Sequence, residues 1–319
     1  MKKLICVLTA VCLLISLAGC AGGEDDKKKV TVGICQLAQH PALDAATKGF
    51  TDTLKESLGE DNIVIIEENA SGEQSSCTTI INDLISRDVD IIMANATPAL
   101  QAAAAATAEI PIFGTSVTHY APALDISDWT GTVGGNISGT SDLAPLDQQA
   151  AMIKEWFPST QKVAILYCNS EANSIFQAQE VASYLSNMGI ESKEFTFTDT
   201  NDVASVTLSA CNYADVIYIP TDNVAASNTE AIANVVLAEK VPVIAGEQGI
   251  CSGCGVATLA IDYYDLGVTT GKMAVRLING ESEISSMPIE YAEEFTKYYN
   301  KTVCDALGIT PLEGYQPIE

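Results

Sequence analysis

Basic side chains are scarce in this sequence. Its 319 residues include 41 Asp and Glu against 16 Lys and Arg, a formal net charge of −25, and only Arg87 and Arg276 are arginines. No Lys/Arg cluster is present to neutralise nucleic-acid phosphates or anionic lipid headgroups, which excludes a nucleic-acid-binding protein and a polybasic membrane-surface protein. Histidine is scarcer still, because His40 and His119 are the only two. One chain therefore cannot supply the three histidines of a three-histidine zinc site.

The N-terminus has the pattern of an export signal. Two lysines precede an apolar run of 14 residues, 4–17, and the sequence Leu-Ala-Gly-Cys then ends at Cys20. The run is too short to span a bilayer and is typical of a signal peptide, residues 1–19. The sequence before Cys20 resembles a bacterial lipobox, which implies cleavage before Cys20 and lipidation of its thiol by diacylglycerol with acyl chains such as palmitate. Residues 20–29 then form a lipidated tether, and the alternative is a secretory signal with an incidental cysteine.

The cysteines favour free thiols over a complete disulfide framework. Ten cysteines become seven in the folded part after Cys6 and Cys12 leave with the signal and Cys20 is lipidated. Seven is an odd number, so they cannot all be paired. Cys251 and Cys254 form a CxxC pair in what reads as a Gly-rich loop, where a local disulfide and two free thiols are both open.

Apolar runs alternate with helical patterns from residue 30 onward. Residues 30–35 predict a strand, and His40-Pro41 opens a helix with Leu43, Ala46 and Phe50 on one face. Further strands are predicted in this half at 63–66, 90–94, 110–113 and around 131–135. The second half repeats the plan from 162–168 through 215–219 to 241–244. This alternation predicts two α/β lobes, each a doubly wound parallel sheet covered by helices.

The loops that follow these strands share one chemistry. They lie at 36–41, 95–98 and 114–118 in the first half and at 169–174, 220–223 and 245–250 in the second, where ligands bind in such sheets. They contain hydroxyls, amides, carboxylates and one histidine but no lysine or arginine. Helix N-termini and hydroxyls could hold a ligand carboxylate while Asp222 or Glu247 accepts an ammonium group. The pattern fits an α-amino acid zwitterion and disfavours a phosphate ester or a dicarboxylate.

Several stretches of the sequence resemble one known family. They are VGICQLAQHPALDAATKGF (32–50), NISGTSD (136–142), ILYCNSEANS (165–174), IPTDN (219–223) and IDYYDLGVTTGKMAVRLINGE (261–281). The chain resembles the ABC-transporter substrate-binding lipoproteins of the tryptophan/tyrosine-binding type over nearly all of its mature length. The resemblance implies a type I periplasmic-binding-protein fold with three hinge crossovers, and delivery of an amino acid, with an aromatic one favoured, to a permease and its ATPase. The segment 249–255 departs from the family, in which we expect a shorter loop without cysteine at this position.

The resemblance also places lobes, hinges and site residues. Lobe 1 is expected to comprise 30–140 plus 262–288, and lobe 2 to comprise 141–261 plus 289–319. Crossovers are expected near 139–142, 261–265 and 287–290, where Gly- and Ser-rich sequence suits a hinge. Tyr167, Phe113, Tyr120 and Trp129 are candidates to stack on an aromatic ligand, although each also suits a core or surface position. The ligand-binding candidates are Gln36, His40, Thr97, Ser116, Thr118, Asn173, Ser174, Asp222, Asn223 and Glu247.

Other functions are also compatible with the sequence. They are a binding protein of the same fold for a branched-chain amino acid, a nucleoside or a sugar, and a surface adhesin. An enzyme is disfavoured because the sequence has no G-x-S-x-G elbow, no Walker loop and no G-x-G-x-x-G after a strand. The sequence thus predicts a lipid-anchored monomer at the extracytoplasmic face of the cell membrane, with no metal, cofactor or nucleic-acid partner.

Overall fold

A computed structural model describes residues 29–292 and 294–318. The signal peptide, the tether and Cys20 lie outside the described residues. The strands are β1 Val30–Gln36, β2 Ile63–Asn69, β3 Ile91–Asn95, β4 Ile112–Val117, β5 Ile137–Ser141, β6 Lys162–Cys168, β7 Glu191–Phe197, β8 Val216–Ile219, β9 Val243–Ala245, β10 Ala257–Ala260, β11 Glu290–Tyr291, β12 Thr296–Tyr299 and β13 Gln316–Pro317.

Helices alternate with these strands. They are α1 Pro41–Leu58, α2 Gln74–Ser86, α3 Thr97–Ala106, α4 Tyr120–Ala123, α5 Leu146–Trp156, α6 Ala172–Asn187, α7 Val203–Cys211, α8 Asn223–Ser227, α9 Thr229–Glu239, α10 Gln248–Cys254, α11 Tyr263–Ile278 and α12 Lys301–Leu307. Within the described ranges, none of these helices is long and apolar enough to cross a membrane. The predicted α/β alternation is confirmed in both halves.

The strands form two separate sheets, one in each lobe. The first has the order β11-β5-β4-β3-β1-β2, and the second has the order β13-β12-β10-β9-β8-β6-β7. Neighbouring strands are parallel in both sheets, except that β12 runs antiparallel to β10. In each sheet the strand order reverses at the first strand of the lobe, so that β1 and β6 each lie one strand in from an edge. The carboxyl ends of the parallel strands of both lobes lead into the loops of one interlobe cleft.

The chain passes between the sheets three times. It leaves the first sheet after β5, returns at α11, whose main partner is α1, and leaves again between β11 and β12. Glu290 and Tyr291 pair with Thr140 and Ser141 in the first sheet, whereas the resemblance assigns 141–261 and 289–319 to lobe 2.

Two local predictions differ from the structure. The strand expected around 131–135 lies at Ile137–Ser141 instead, because Gly131, Gly134 and Gly135 adopt positive φ and form a turn. Gly139, expected to give a hinge flexibility, lies inside β5. A Cβ atom there would lie 2.0 Å from the carbonyl oxygen of Gly114, so the missing side chain permits close strand packing.

Helices α1 and α11 pack in close contact on the first sheet. The apolar face predicted for α1 is confirmed, because Leu43, Ala46 and Phe50 are all at most 1% exposed. Gly49 of α1 and Gly267 of α11 face the partner helix. A Cβ at Gly267 would lie 2.0 Å from the carbonyl oxygen of Ala46, and a Cβ at Gly49 would lie 2.1 Å from that of Tyr264. The two glycines therefore allow the helix backbones to approach more closely than side chains would permit.

Candidate functional site

A small cavity lies between the lobes where the cleft loops meet. It is called the inner cavity here, and its volume is about 10 Å³, room for about one water molecule. It is lined by His40, Ala42, Leu43, Ser116, Thr118, Asp142, Asn173, Thr221, Asp222, Asn223, Ala226, Glu247 and Tyr263. Residues of both lobes thus enclose a space that a ligand enters only when they separate.

Seven of the ten ligand-binding candidates line the inner cavity. These are His40, Ser116, Thr118, Asn173, Asp222, Asn223 and Glu247. The other three are buried nearby and line neither this cavity nor the outer one described below. Gln36 donates to Asp44 and accepts from Thr47, and Ser174 donates to Asp222 at 2.7 Å. The Thr97 hydroxyl is buried without a hydrogen-bond partner.

Backbone conformations at the site are strained. Ala96 has φ 90° and ψ 156°, a region that glycine alone adopts at low cost, and Ser116 has φ 53°. Ala96 precedes α3, and Ser116 lies in β4 where the pairing with β5 is irregular. The Ser116 hydroxyl faces the inner cavity and has no hydrogen-bond partner. The strain at the end of β4 thus accompanies a hydroxyl directed at the site.

Asp222 and Glu247 act as helix N-caps. Asp222 accepts hydrogen bonds from the backbone N–H of Ala225 at 2.8 Å, the backbone N–H of Cys168 at 2.7 Å and the Ser174 hydroxyl. Glu247 accepts from the backbone N–H groups of Gly249, at 2.6 Å, and Ile250. Capping therefore accounts for one of the three hydrogen bonds that Asp222 accepts, and the other two hold it against β6 and α6.

Glu171 is a second carboxylate at the N-terminus of α8. It accepts from the backbone N–H groups of Asn223 and Val224, both at 3.1 Å, and from the Asn223 side chain at 2.6 Å. Burial, together with the charge of Asp222, raises the pKa of Glu171 to about 7. Glu171 lies in the predicted loop 169–174 but is not among the ligand-binding candidates. Its role depends on a helix 52 residues further along the chain.

Asp142 and Tyr263 line the inner cavity but were not selected from the sequence. The Tyr263 hydroxyl donates to Oδ2 of Asp142 at 3.0 Å, whereas Oδ1 of Asp142 is buried without a partner. Burial raises the pKa of Asp142 to about 6, although the nearby Thr118 and Tyr263 hydroxyls oppose the rise. Both residues lie in stretches that resemble the family, 136–142 and 261–281. That resemblance was the sequence signal that could have identified them.

Within residues 29–292 and 294–318, three hydrogen bonds join the lobes across the cleft. His40 Nε2 lies 3.2 Å from Asn223 Oδ1, Gln74 donates to the Ser170 carbonyl at 2.8 Å, and Gln177 donates to the Thr118 hydroxyl at 3.4 Å. Burial lowers the pKa of His40, although the Asn223 bond and the Asp44 charge oppose the change. His40 is therefore a neutral imidazole at pH 7, and its Nδ1 has no partner.

Carboxyl groups line the inner cavity, and its one basic group in the described part of the chain is the neutral imidazole of His40. Asp142, Asp222 and Glu247 line it, while no lysine or arginine does so among the residues that the structure describes. Burial raises the pKa of Glu247 to about 7, and the Asp142 charge adds to the rise. Buried carboxylates of this kind are stabilised by a cation that enters the cavity. No cluster of potential metal ligands is present in the described part of the chain.

A larger outer cavity of about 560 Å³ lies at the mouth of the cleft. Polar residues from both lobes line it, including Asn69, Gln74 and Thr198, and Asn223 is common to both cavities. None of the four aromatic stacking candidates lines either cavity in the described ranges. Phe113 and Tyr120 are core residues instead, at 0% and 1% exposed.

The cysteines in the described ranges are all free and buried. Of the two states left open for Cys251 and Cys254, the structure has free thiols. The pair does not lie in a loop as expected from the sequence but on helix α10, which follows β9 directly. Apolar Ile250 packs with both cysteines in the core of lobe 2, which explains how a Gly-containing segment forms a helix.

The family follows from comparison with known proteins. A family model described as ABC transporter substrate binding protein matches residues 31–314. The chain belongs to this family. Its two parallel-sheet lobes form a type I periplasmic-binding-protein fold, which confirms the predicted fold and family.

Relatives of this substrate-binding chain include proteins named for aromatic amino acids. A "Tyrosine-binding protein" of Clostridioides difficile is 32% identical and aligns with 98% of this chain and 94% of its own. The structure of a Streptococcus pneumoniae ABC domain in complex with L-Trp is 30% identical, with a TM-score of 0.86 over 91% of this chain and 99% of that one.

A third relative shows how the lobes are arranged. The ligand-free, open structure of a Clostridium difficile substrate-binding protein with adhesive properties is 33% identical and covers the same shares, yet its TM-score is 0.69. The greater similarity to the L-Trp complex, at nearly equal identity, indicates that the lobes of this chain are closed in this structure. The small volume of the inner cavity agrees with that arrangement.

Proposed function

We propose that this substrate-binding protein captures an L-amino acid between its closing lobes and delivers it to the permease and ATPase of an ABC importer. The inner cavity is the observation that carries the proposal. It combines buried carboxylates with hydroxyl, amide and imidazole groups, and no lysine or arginine of the described ranges lines it. An α-amino acid matches this set, because its ammonium group pairs with a carboxylate while its carboxylate accepts hydrogen bonds from neutral donors.

An aromatic amino acid is the favoured ligand. The support comes from relatives at 30% and 32% identity, one in complex with L-Trp and one named for tyrosine. Ala42, Leu43, Ala226 and the ring of Tyr263 supply apolar surface to the cavity wall. With the lobes farther apart than in this structure, where the inner cavity has room for about one water molecule, an aromatic side chain would bury its faces against such surface while the polar groups hold the zwitterion.

The protein is proposed to act by binding alone, as a monomer without cofactor, at the extracytoplasmic face of the membrane. The lipobox-like sequence before Cys20 supports a lipid anchor there. Cys20→Ala in the full-length protein is therefore expected to move it from the membrane fraction to the soluble fraction. Retention of the variant in the membrane fraction would contradict lipidation at Cys20.

A thermal-shift screen tests the ligand class. The protein comprising residues 30–319 is heated with each of the twenty amino acids, nucleosides and sugars in turn. A ligand at one hundred times its Kd adds about 2.7 kcal/mol to the stability of the native state, which raises Tm by several degrees. Tyrosine, tryptophan or phenylalanine is expected to give the largest shift. A shift with a nucleoside or sugar, and with no amino acid, would overturn the proposal.

A further inference from the structure

Asp142 occupies the first connection between the lobes. It follows β5 directly, is 3% exposed and donates its backbone N–H to the Val117 carbonyl at 3.2 Å. Its carboxylate accepts from the hydroxyl of Tyr263, the first residue of α11, where the chain returns to lobe 1. One hydrogen bond therefore joins two of the three interlobe connections at the wall of the inner cavity.

The carboxylates of the inner cavity differ in how much of their capacity is used. Asp222 has three donors on its two oxygens, and Glu247 has one backbone N–H on each oxygen. Asp142 accepts a hydrogen bond from Tyr263 on Oδ2 and has the Thr118 hydroxyl nearby, whereas its Oδ1 is buried without a hydrogen-bond partner. A buried carboxylate oxygen without a donor is costly, so Asp142 has both the capacity and the need for one more donor.

Among the described residues, no lysine or arginine lines the cavity beside Asp142, and burial keeps the His40 imidazole that does so neutral at pH 7. The titratable groups that act on it or are acted on by it are Tyr263, Glu247 and the phenol of Tyr120, none of which is positive. The Ser116 hydroxyl, also without a partner, lines the same cavity. A cationic hydrogen-bond donor on the ligand would both neutralise the Asp142 carboxylate and pair its free oxygen.

We propose that Asp142 accepts the α-ammonium group of the bound amino acid, rather than the Asp222 or Glu247 selected from the sequence. This assignment rests on the proposed function and specifies which group recognises the ligand's positive charge. Because Asp142 lies on an interlobe connection, the ammonium group contacts the hinge itself. Release of the proton that Asp142 holds below about pH 6 would accompany binding in that range, since a neighbouring ammonium favours the ionised form.

Isothermal titration of paired ligands tests the assignment. The pairs are L-tyrosine with 3-(4-hydroxyphenyl)propanoate and L-tryptophan with indole-3-propanoate, which differ only in the amino group. The wild-type protein is expected to prefer the amino acid by at least about 100-fold. Asp142→Asn keeps the side-chain shape and is expected to weaken binding of the amino acid by about 10- to 100-fold, with binding of the analogue changed by less than about threefold.

Matched variants separate a direct contact from a structural effect. Asp262→Asn makes the same chemical change next to Tyr263 on an exposed residue and is expected to leave both affinities unchanged. Tyr263→Phe removes the bond to Asp142 and is expected to weaken amino-acid binding by a smaller factor. Melting temperatures confirm that each variant is folded.

The outcomes distinguish the two proposals. If wild-type protein binds an aromatic amino acid but Asp142→Asn keeps the preference over the analogue, or loses affinity for both ligands equally, the assignment of Asp142 is wrong. The same holds if Glu247→Gln, and not Asp142→Asn, removes the preference. If the wild-type protein binds no amino acid at all, the proposed function itself fails.

Discussion

Gly267→Ala probes the contact on which the geometry of the site depends. The new Cβ would lie 2.0 Å from the Ala46 carbonyl oxygen, more than 1 Å inside the roughly 3.3 Å at which such atoms meet. Helices α1 and α11 must therefore separate by about 1 Å. Overpacking of this kind costs about 1–3 kcal/mol, against a gain of about 1 kcal/mol from replacing glycine by alanine within a helix.

The expected net result is a loss of up to about 2 kcal/mol in the free energy of unfolding and a fall of up to several degrees in Tm. Urea denaturation followed by circular dichroism measures the first, and thermal melting measures the second. Lys272→Ala, an exposed change on the same helix, serves as the control and is expected to change stability by at most about 0.5 kcal/mol. A rise in Tm for Gly267→Ala would refute the reasoning, because helix propensity alone predicts a rise.

The same displacement should weaken ligand binding. His40 is the residue before α1, and Tyr263 is the first residue of α11, so separating the helices moves two walls of the inner cavity relative to each other. Calorimetric titration of Gly267→Ala with the ligand found by thermal shift is expected to give a higher Kd than wild type. An unchanged Kd in a destabilised variant would show that the site tolerates the displacement.

Two further predictions concern titration and thiol chemistry. The folded-state pKa of Glu171 is about 7 and its ordinary value is 4.5, so between these pH values the native state binds more protons than the unfolded state. The Tm of the ligand-free protein should therefore fall as pH rises from 5 to 8, and Glu171→Gln should reduce the slope; an unchanged slope would exclude Glu171 as a contributor. The seven cysteines of the described ranges are buried, so in the protein of residues 30–319 they should react slowly with Ellman's reagent until guanidinium is added. Rapid reaction of one or two thiols in the native protein would contradict this burial.

Periodicity and strand geometry predicted much of the fold. The 3.6-residue apolar repeat and the proline at the first turn located α1 correctly, and the repeated strand–helix pattern gave two lobes. The parallel arrangement then placed the candidate residues together, because the carboxyl ends of parallel strands share one edge of a sheet. Seven of the ten candidates line a single cavity for this reason.

The remaining features depend on contacts between distant parts of the chain. The hydrogen bonds of Asp142 are set by residues far away in the sequence, such as Tyr263, which donates to Oδ2 and leaves Oδ1 without a partner. No local sequence pattern predicts this arrangement. Gly139 looked like a hinge residue, whereas its function is set by Gly114 on the adjacent strand. Asp222 and Glu247 were selected as ligand contacts, but both also accept hydrogen bonds from backbone N–H groups as helix N-caps. The sequence does not show how a carboxylate divides its hydrogen bonds between a helix and a cavity.

The three passages between the lobes also constrain the order in which the chain can fold. The first sheet begins at β1 and is completed by β11, and α11 packs on α1 through contacts such as that between Asp52 and Tyr264, 212 residues apart. A chain growing from its N-terminus therefore cannot complete its first lobe until almost all of its residues have been made. The parallel strands of the second sheet, β6 to β10, are all made before β11 completes the first sheet. We therefore expect lobe 2 to form its core before lobe 1 does. Helix α1 cannot pack against α11 until the residues of α11 have been made.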